Sequence, residues 1–307
     1  MLTELKVRNF KAWNDERWDF PITLAPVTLF LGTNSSGKTS LLQTLLLLKQ
    51  TFASPDRKLD LNLGGQEQDR IDFGRYEDVI HKHNGHSSLG IGFTIKDGPR
   101  FECSYALTGG VPVTDNLTLA QGESTYQAQR QGRGGYLITA PSYVPATHGG
   151  RPDARRSFAP ERSLAFSPEA LSEMGADARD VQDLTLRIGK EIGDLAYLGP
   201  LRQPPERTYL WSRQTPSNLG DQGQFAVAAL LASANARTKP NADGEGGRGW
   251  LVERVSHWMD KLGIADSLEM VQQGRSRFFE VIVKTAGQQA NIMDVGFGVS
   301  QILPFVV

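Results

Sequence analysis

Leu5 and Val7 alternate with Glu4, Lys6 and Arg8 along residues 2–10, the period of a half-buried strand. Residues 16–24 predict a second strand bent at Pro21, and the short apolar run 27–31 predicts a third. A leucine-rich segment follows, from Thr39 to about Gln50. Leu41, Leu42, Leu45, Leu46 and Leu48 take up most of its helical circumference, so the helix is expected between layers. Ser54-Pro55-Asp56 ends it. Residues 59–84 are turn-rich, with a helical start after Gly74. Residues 88–96 and 100–107, joined by Asp97-Gly98-Pro99, read as a hairpin, and 111–129 as further antiparallel structure.

Residues 130–165 break this regularity with clustered glycine, proline and arginine, including Gly149, Gly150, Arg151, Arg155, Arg156 and Arg162. A loop or mobile insertion is expected there. Helical spacing returns over 167–193, and an apolar strand is predicted at 195–198. Helices are predicted at 221–235 and 250–262, separated by a flexible linker, 237–249. A hairpin pair is expected at 268–272 and 278–285 before the closing DVGFGVSQILPFVV. The composition shifts suggest three parts: 1–129, an insertion with helices at 130–249, and 250–307.

A length of 307 residues allows a substantial core, and a net charge of −1 gives no global pull toward nucleic acid or anionic membranes. The single Cys103 excludes an intrachain disulfide and fits a reducing compartment. No apolar run nears the roughly 18 residues that span a bilayer, and the charged N-terminus is unlike a signal peptide. A soluble, cytoplasmic chain with no membrane partner is expected.

Between the predicted strand 27–31 and the leucine-rich helix lies Gly32-Thr33-Asn34-Ser35-Ser36-Gly37-Lys38-Thr39-Ser40. This is G-x-x-x-x-G-K-[ST] with a strand before it and a helix after it. Glycines at its two ends let successive N–H groups converge at a helix N-terminus, where an anion is favoured. Lys38 adds a positive charge for β- and γ-phosphates, and the Thr39 hydroxyl a ligand for Mg²⁺. The spacing predicts that Gly32, Asn34, Ser35, Ser36, Gly37, Lys38, Thr39 and Ser40 bind ATP with Mg²⁺.

The closing Gly296-Phe297-Gly298-Val299-Ser300-Gln301 is a second glycine-rich turn opening an apolar helix. Together with LKVRNFKAW, GTNSSGKTS, IDFGRYEDVIHKHN and YLGPLRQPPERTY, it resembles the ABC-type ATPase heads of the SMC/RecF/OLD branch. The likeness is strongest to the bacterial AAA-family ATPases with such heads, common in anti-phage defence operons. The resemblance implies an α/β P-loop fold with a mixed central sheet, an antiparallel β subdomain and a helical insertion. It implies a head-to-head dimer closed on ATP, in which Gly296, Gly298, Ser300 and Gln301 reach the neighbour's nucleotide. It also implies a gated effector, commonly a nuclease. In that family an apolar strand ending in Asp-Glu supplies the catalytic carboxylates, and residues 50–307 hold no such pattern. Catalytic residues are therefore not assignable, and the remainder is expected from a longer chain or from a partner. A non-hydrolysing assembly scaffold is the alternative.

Gln66 and Gln68 sit where the family often has a glutamine lobe, and surface glutamines in a turn read equally well. Arg202 suits either a phosphate contact or a loop-pinning role. His81, His83 and His86 lack the frame and carboxylate pair of a nuclease or metal centre. The arginines of 130–165 offer contacts to nucleic acid or a partner, but without interleaved aromatics a solvated loop is favoured.

Overall fold

The alternation of residues 2–10 becomes β1 (Leu2–Arg8), which buries Leu5 and Val7. The structure, a computed structural model, describes residues 1–67, 69–148, 151–236 and 246–307. It divides into two compact units, Met1–Leu195 and Ala196–Val307. That boundary departs from the three-part division at 129/130 and 249/250. The reason is packing: Tyr136, Ile138, Phe158, Leu164, Val181 and Ile188 share one core with β1.

In the first unit, α1 (Glu16–Asp19) and β2 (Ile22–Thr23) replace the strand predicted over 16–24. Next come α2 (Lys38–Ala53) and α3 (Tyr76–Val79). The sheet then builds through β3 (Leu89–Ile95), β4 (Arg100–Thr108), β5 (Val111–Gln121), β6 (Ser124–Arg130) and β7 (Tyr136–Thr139). Its order is β2-β1-β3-β4-β5-β6-β7, and every pairing is antiparallel. The mixed sheet expected from the resemblance is thus not found among the described residues. Among the described residues no helical crossover returns a strand parallel to its predecessor. The run 27–31, predicted as a strand, has no strand partner either. It lies extended with Val27, Leu29 and Leu31 at 80, 79 and 88% exposure.

The hairpin at Asp97-Gly98 forms as expected, with Asp97 at φ 51° and the Gly98 N–H donating to Ile95 O at 3.0 Å. Phe93 and Phe101 stack across the strand pair at 5.1 Å. Much of 130–165 is packed rather than loose. After β7 come a small ladder of β8 (Thr147–His148) and β9 (Arg151–Pro152) and a 3-10 turn, Arg156–Phe158. Gly149 and Gly150 lie outside the described residues. The helix predicted over 167–193 is split at Gly175 into α4 (Pro168–Met174) and α5 (Ala178–Gly193). Ser167 caps α4, its Oγ accepting from Ala170 N at 3.2 Å, with Pro168 at the first helical position.

α2 buries Leu41, Leu46, Leu47 and Leu48, but Leu42 stays exposed, so the helix is covered on fewer sides than its leucines predict. α5 packs close to it at Gly189, where a Cβ would stand 3.0 Å from the Phe52 ring. Lys49 of α2 donates to Gly193 O and Leu195 O, both at 2.5 Å, a cation at the C-terminal end of α5.

The second unit has no strand at 195–198. It contains β10 (Tyr209–Leu210), α6 (Ala226–Ala234), α7 (Trp250–Lys261), β11 (Ser267–Gln272), β12 (Phe278–Thr285), β13 (Gln288–Asn291) and α8 (Phe297–Val306). The β11–β12 hairpin is the expected one, and β10 and β13 add to β12. Val227, Leu230, Val255, Met259, Val281, Val283, Val299 and Leu303 form its core. Most of the predicted linker, residues 237–245, lies outside the described residues. No helix among those described is long and apolar enough to cross a membrane.

Candidate functional site

Gly32 and Gly37 bound the loop between the extended run 27–31 and α2. Gly37, the residue before the helix, holds φ 90°, and Ser35 holds φ 63°. A Cβ on Gly32 would meet Ser36 Oγ at 2.9 Å, and one on Gly37 would meet the Trp13 Nε1 at 2.8 Å. Both positions therefore need glycine. α2 starts at Lys38, and the first helical backbone bond is Leu41 N to Gly37 O at 3.3 Å. The N–H groups of Lys38, Thr39 and Ser40 have no backbone acceptor among the described residues. With no acidic residue in the first turn of α2, these donors present an uncompensated positive pole.

The Lys38 ammonium folds back over the loop and donates to Gly32 O at 2.9 Å and Thr33 O at 2.7 Å. Carbonyls are weak partners for an ammonium, and an anion in the same cradle competes for it. Asn34, Ser35, Ser36 and Thr39 are exposed around the rim. Ser40 is turned away and buried, unlike its neighbours.

Two supports of this loop are invisible to the motif. The Trp13 indole N–H donates to Gly37 O at 3.0 Å, and Lys11 Nζ donates to Gln43 Oε1 of α2 at 3.0 Å. Lys11 also lies 4.2 Å from the Phe73 ring, and burial lowers its pKa. Farther along α2, Gln50 clamps the segment 62–71. Its Nε2 donates to Asn62 O at 3.1 Å and Ile71 O at 3.0 Å, while its Oε1 accepts from Arg70 N and Ile71 N. Gln50 lies just past the leucine run, where a glutamine reads as an ordinary helix end, so the sequence carried no signal for it. For Trp13 there was none either, because the contact joins residues 24 apart.

Gln66 is exposed on this clamped segment, its N–H donating to Asp69 Oδ2 at 2.8 Å. Gln68 lies outside the described residues. His81 and His83 place Nδ1 at 2.7 Å from Lys11 O and 3.0 Å from Glu77 O, so both rings serve the backbone. Among the described residues no group of His, Cys, Asp or Glu is arranged to hold a metal.

In the second unit, Gly296 precedes α8, and a Cβ on Gly296 or Gly298 would meet nothing. Ser300 is buried and donates to Phe297 O of its own helix at 2.9 Å, so its hydroxyl is turned inward. Gln301 Nε2 and the Arg202 Nε and Nη1 are buried without hydrogen-bond partners among the described residues.

Residues 1–96 match the family model for the AAA ATPase domain. The match takes in β1, the glycine-bounded loop, α2 and β3, and it supports an AAA-type ATPase, which implies a nucleotide and usually Mg²⁺. No curated protein matches the chain.

Proposed function

We propose that this chain binds ATP with Mg²⁺ at residues 32–39 and acts as the nucleotide-binding head of an ABC/SMC-like ATPase. One observation carries the reading. The unpaired amides at the start of α2 face the same loop as a Lys38 held only by carbonyls. The loop fits a polyphosphate: both glycines hold positive φ, which bends the backbone into a cradle, and Thr39 is exposed beside Lys38. Lys38 and the loop amides would hold the β- and γ-phosphates, and the Thr39 hydroxyl the Mg²⁺. The metal, when bound, neutralises phosphate charge.

The finer reading is that heads dimerise on ATP and gate an effector such as a nuclease, in anti-phage defence or DNA metabolism. It is supported by the spread of resembling segments over both units. A second reading, a nucleotide-binding scaffold that does not turn over, is favoured by the lack of an apolar strand ending in Asp-Glu within residues 50–307. Steady-state ATP turnover separates the two. A rate of roughly 1 s⁻¹ or more means that other carboxylates do the work, and a negligible rate supports the scaffold or a partner-completed site.

Lys38→Ala tests the site. It removes a charge whose hydrogen bonds among the described residues go to two loop carbonyls, so fold and melting temperature should hold while binding of a fluorescent ATP analogue is lost. Wild-type affinity in that variant would refute the assignment.

A further inference from the structure

The oxygen of Gly37 has two donors. One is Leu41 N at 3.3 Å, the first bond of α2, and the other is the indole N–H of Trp13 at 3.0 Å. The peptide joining Gly37 to Lys38 is trans, as all are here, so its C=O and N–H point in opposite directions. Whatever holds the Gly37 carbonyl toward the helix therefore aims the Lys38 N–H out of the helix start. That N–H is one of the unpaired donors of the loop.

The indole can hold this orientation because it is itself held. Trp13 closes a tight turn, its N–H donating to Phe10 O at 2.9 Å, with Asn9 and Lys11 at φ 52° and 51°. Around the turn, Lys11 N donates to Val79 O at 2.7 Å and His81 N to Asn9 O at 3.0 Å. The Asn9 Nδ2 donates to Ser88 O at 3.0 Å. The turn is thus fastened to the segment after α3 and to the approach to β3. The ring also sits against Gly37 so closely that a Cβ there would come within 3.3 Å of three atoms of Ala12 and Trp13.

We infer that Trp13 is a positioning residue of the nucleotide loop, fixing the Gly37–Lys38 peptide so that the Lys38 amide is aimed at phosphate before nucleotide arrives. It does not touch the ligand. It removes the reorientation of one peptide that an unbraced loop undergoes on binding. This rests on the nucleotide reading of residues 32–39, and the test keeps the two apart.

Trp13→Phe keeps an aromatic ring and deletes the donor. ADP affinity, by calorimetry, should fall about three- to tenfold, the range for one neutral hydrogen bond. In the nucleotide-free protein the Lys38 amide should become more mobile, read by NMR as a lower order parameter. Trp18→Phe, which leaves Gly37 untouched, should change neither. A merely structural Trp13 would lower the melting temperature while leaving affinity and Lys38 mobility at wild-type values, and that result overturns the inference. Should Trp13→Phe not fold, the parent protein decides. Its Trp13 indole N–H, identified by its proximity to Gly37, should be protected from exchange and should shift on ADP addition more than that of Trp18. An unprotected, unshifted resonance overturns the inference. A parent chain that binds no ADP refutes the nucleotide reading, while the Lys38 mobility comparison still decides whether Trp13 orients that amide.

Discussion

At the scale of single residues, the chemistry concentrates at the start of α2, but a carboxyl shifted by burial lies elsewhere. Asp60 accepts from Thr114 Oγ1 at 2.8 Å, and Thr114 Oγ1 lies 2.6 Å from Ser163 Oγ, which in turn donates to Asp60 O. Tyr136 OH closes the cluster on Thr114 O at 2.6 Å. Burial raises the Asp60 pKa above its ordinary 3.8, outweighing the Thr114 bonds and the Arg130 charge that lower it. A carboxyl with a raised folded pKa favours the fold when protonated. Its contribution is complete below pH 3.8 and is lost as pH rises through the folded value. Asp60→Asn keeps an acceptor for Thr114 without titrating. The parent's melting temperature should therefore fall relative to the variant's between about pH 4 and neutrality, the direction set by the linkage rule. Parallel curves would show that Asp60 ionises as freely folded as unfolded.

At the scale of elements, the run 27–31 stands out. Phe30 packs against the core, whereas Val27, Leu29 and Leu31 are exposed, and no backbone hydrogen bond joins 29–31 to the rest of the described chain. Such an edge is sticky. The chain should bind a hydrophobic dye, and Val27→Lys with Leu29→Lys should cut that signal at least in half. Stability should shift by no more than about 0.5 kcal/mol per site, as for other surface positions. Unchanged dye binding would place the apolar surface elsewhere.

This run also marks where reading the sequence works. The alternation of Leu5 and Val7, and the turn at Asp97-Gly98, forecast β1 and the β3–β4 hairpin because local periodicity and turn chemistry dominate there. At 27–31 the same preference is present, but a strand also needs a neighbour, which periodicity cannot report. β7 was hidden by the opposite effect, since Tyr136 and Ile138 sit in a glycine- and arginine-rich stretch that reads as loop. At the site, the spacing of Gly32, Gly37, Lys38 and Thr39 was legible as chemistry. The bracing by Trp13 and Gln50 came from packing between distant segments, and the inward turn of Ser300 from a bond within its own helix that the motif does not report.

At the scale of the whole molecule, the matched residues 1–96 fall within the first unit, and the glycine-rich ending lies in the second. If that ending meets a neighbour's nucleotide, an arginine at Gly298 should block the approach without disturbing the fold, since a Cβ there has open space within 4 Å. Ser300 is the poorer choice, because an arginine would replace a buried hydroxyl bonded to Phe297 O. Light scattering with ATP present should show a smaller dimer fraction for Gly298→Arg than for the parent, at equal ATP affinity. Equal dimer fractions would reduce the ending to a structural turn. The central claim, that residues 32–39 receive the nucleotide, is tested most directly by mapping backbone amide shifts while titrating ATP with Mg²⁺. The largest saturable changes should fall on the amides of residues 32–40, with the Trp13 indole close behind. Saturable binding that leaves these amides still and perturbs other residues would contradict it.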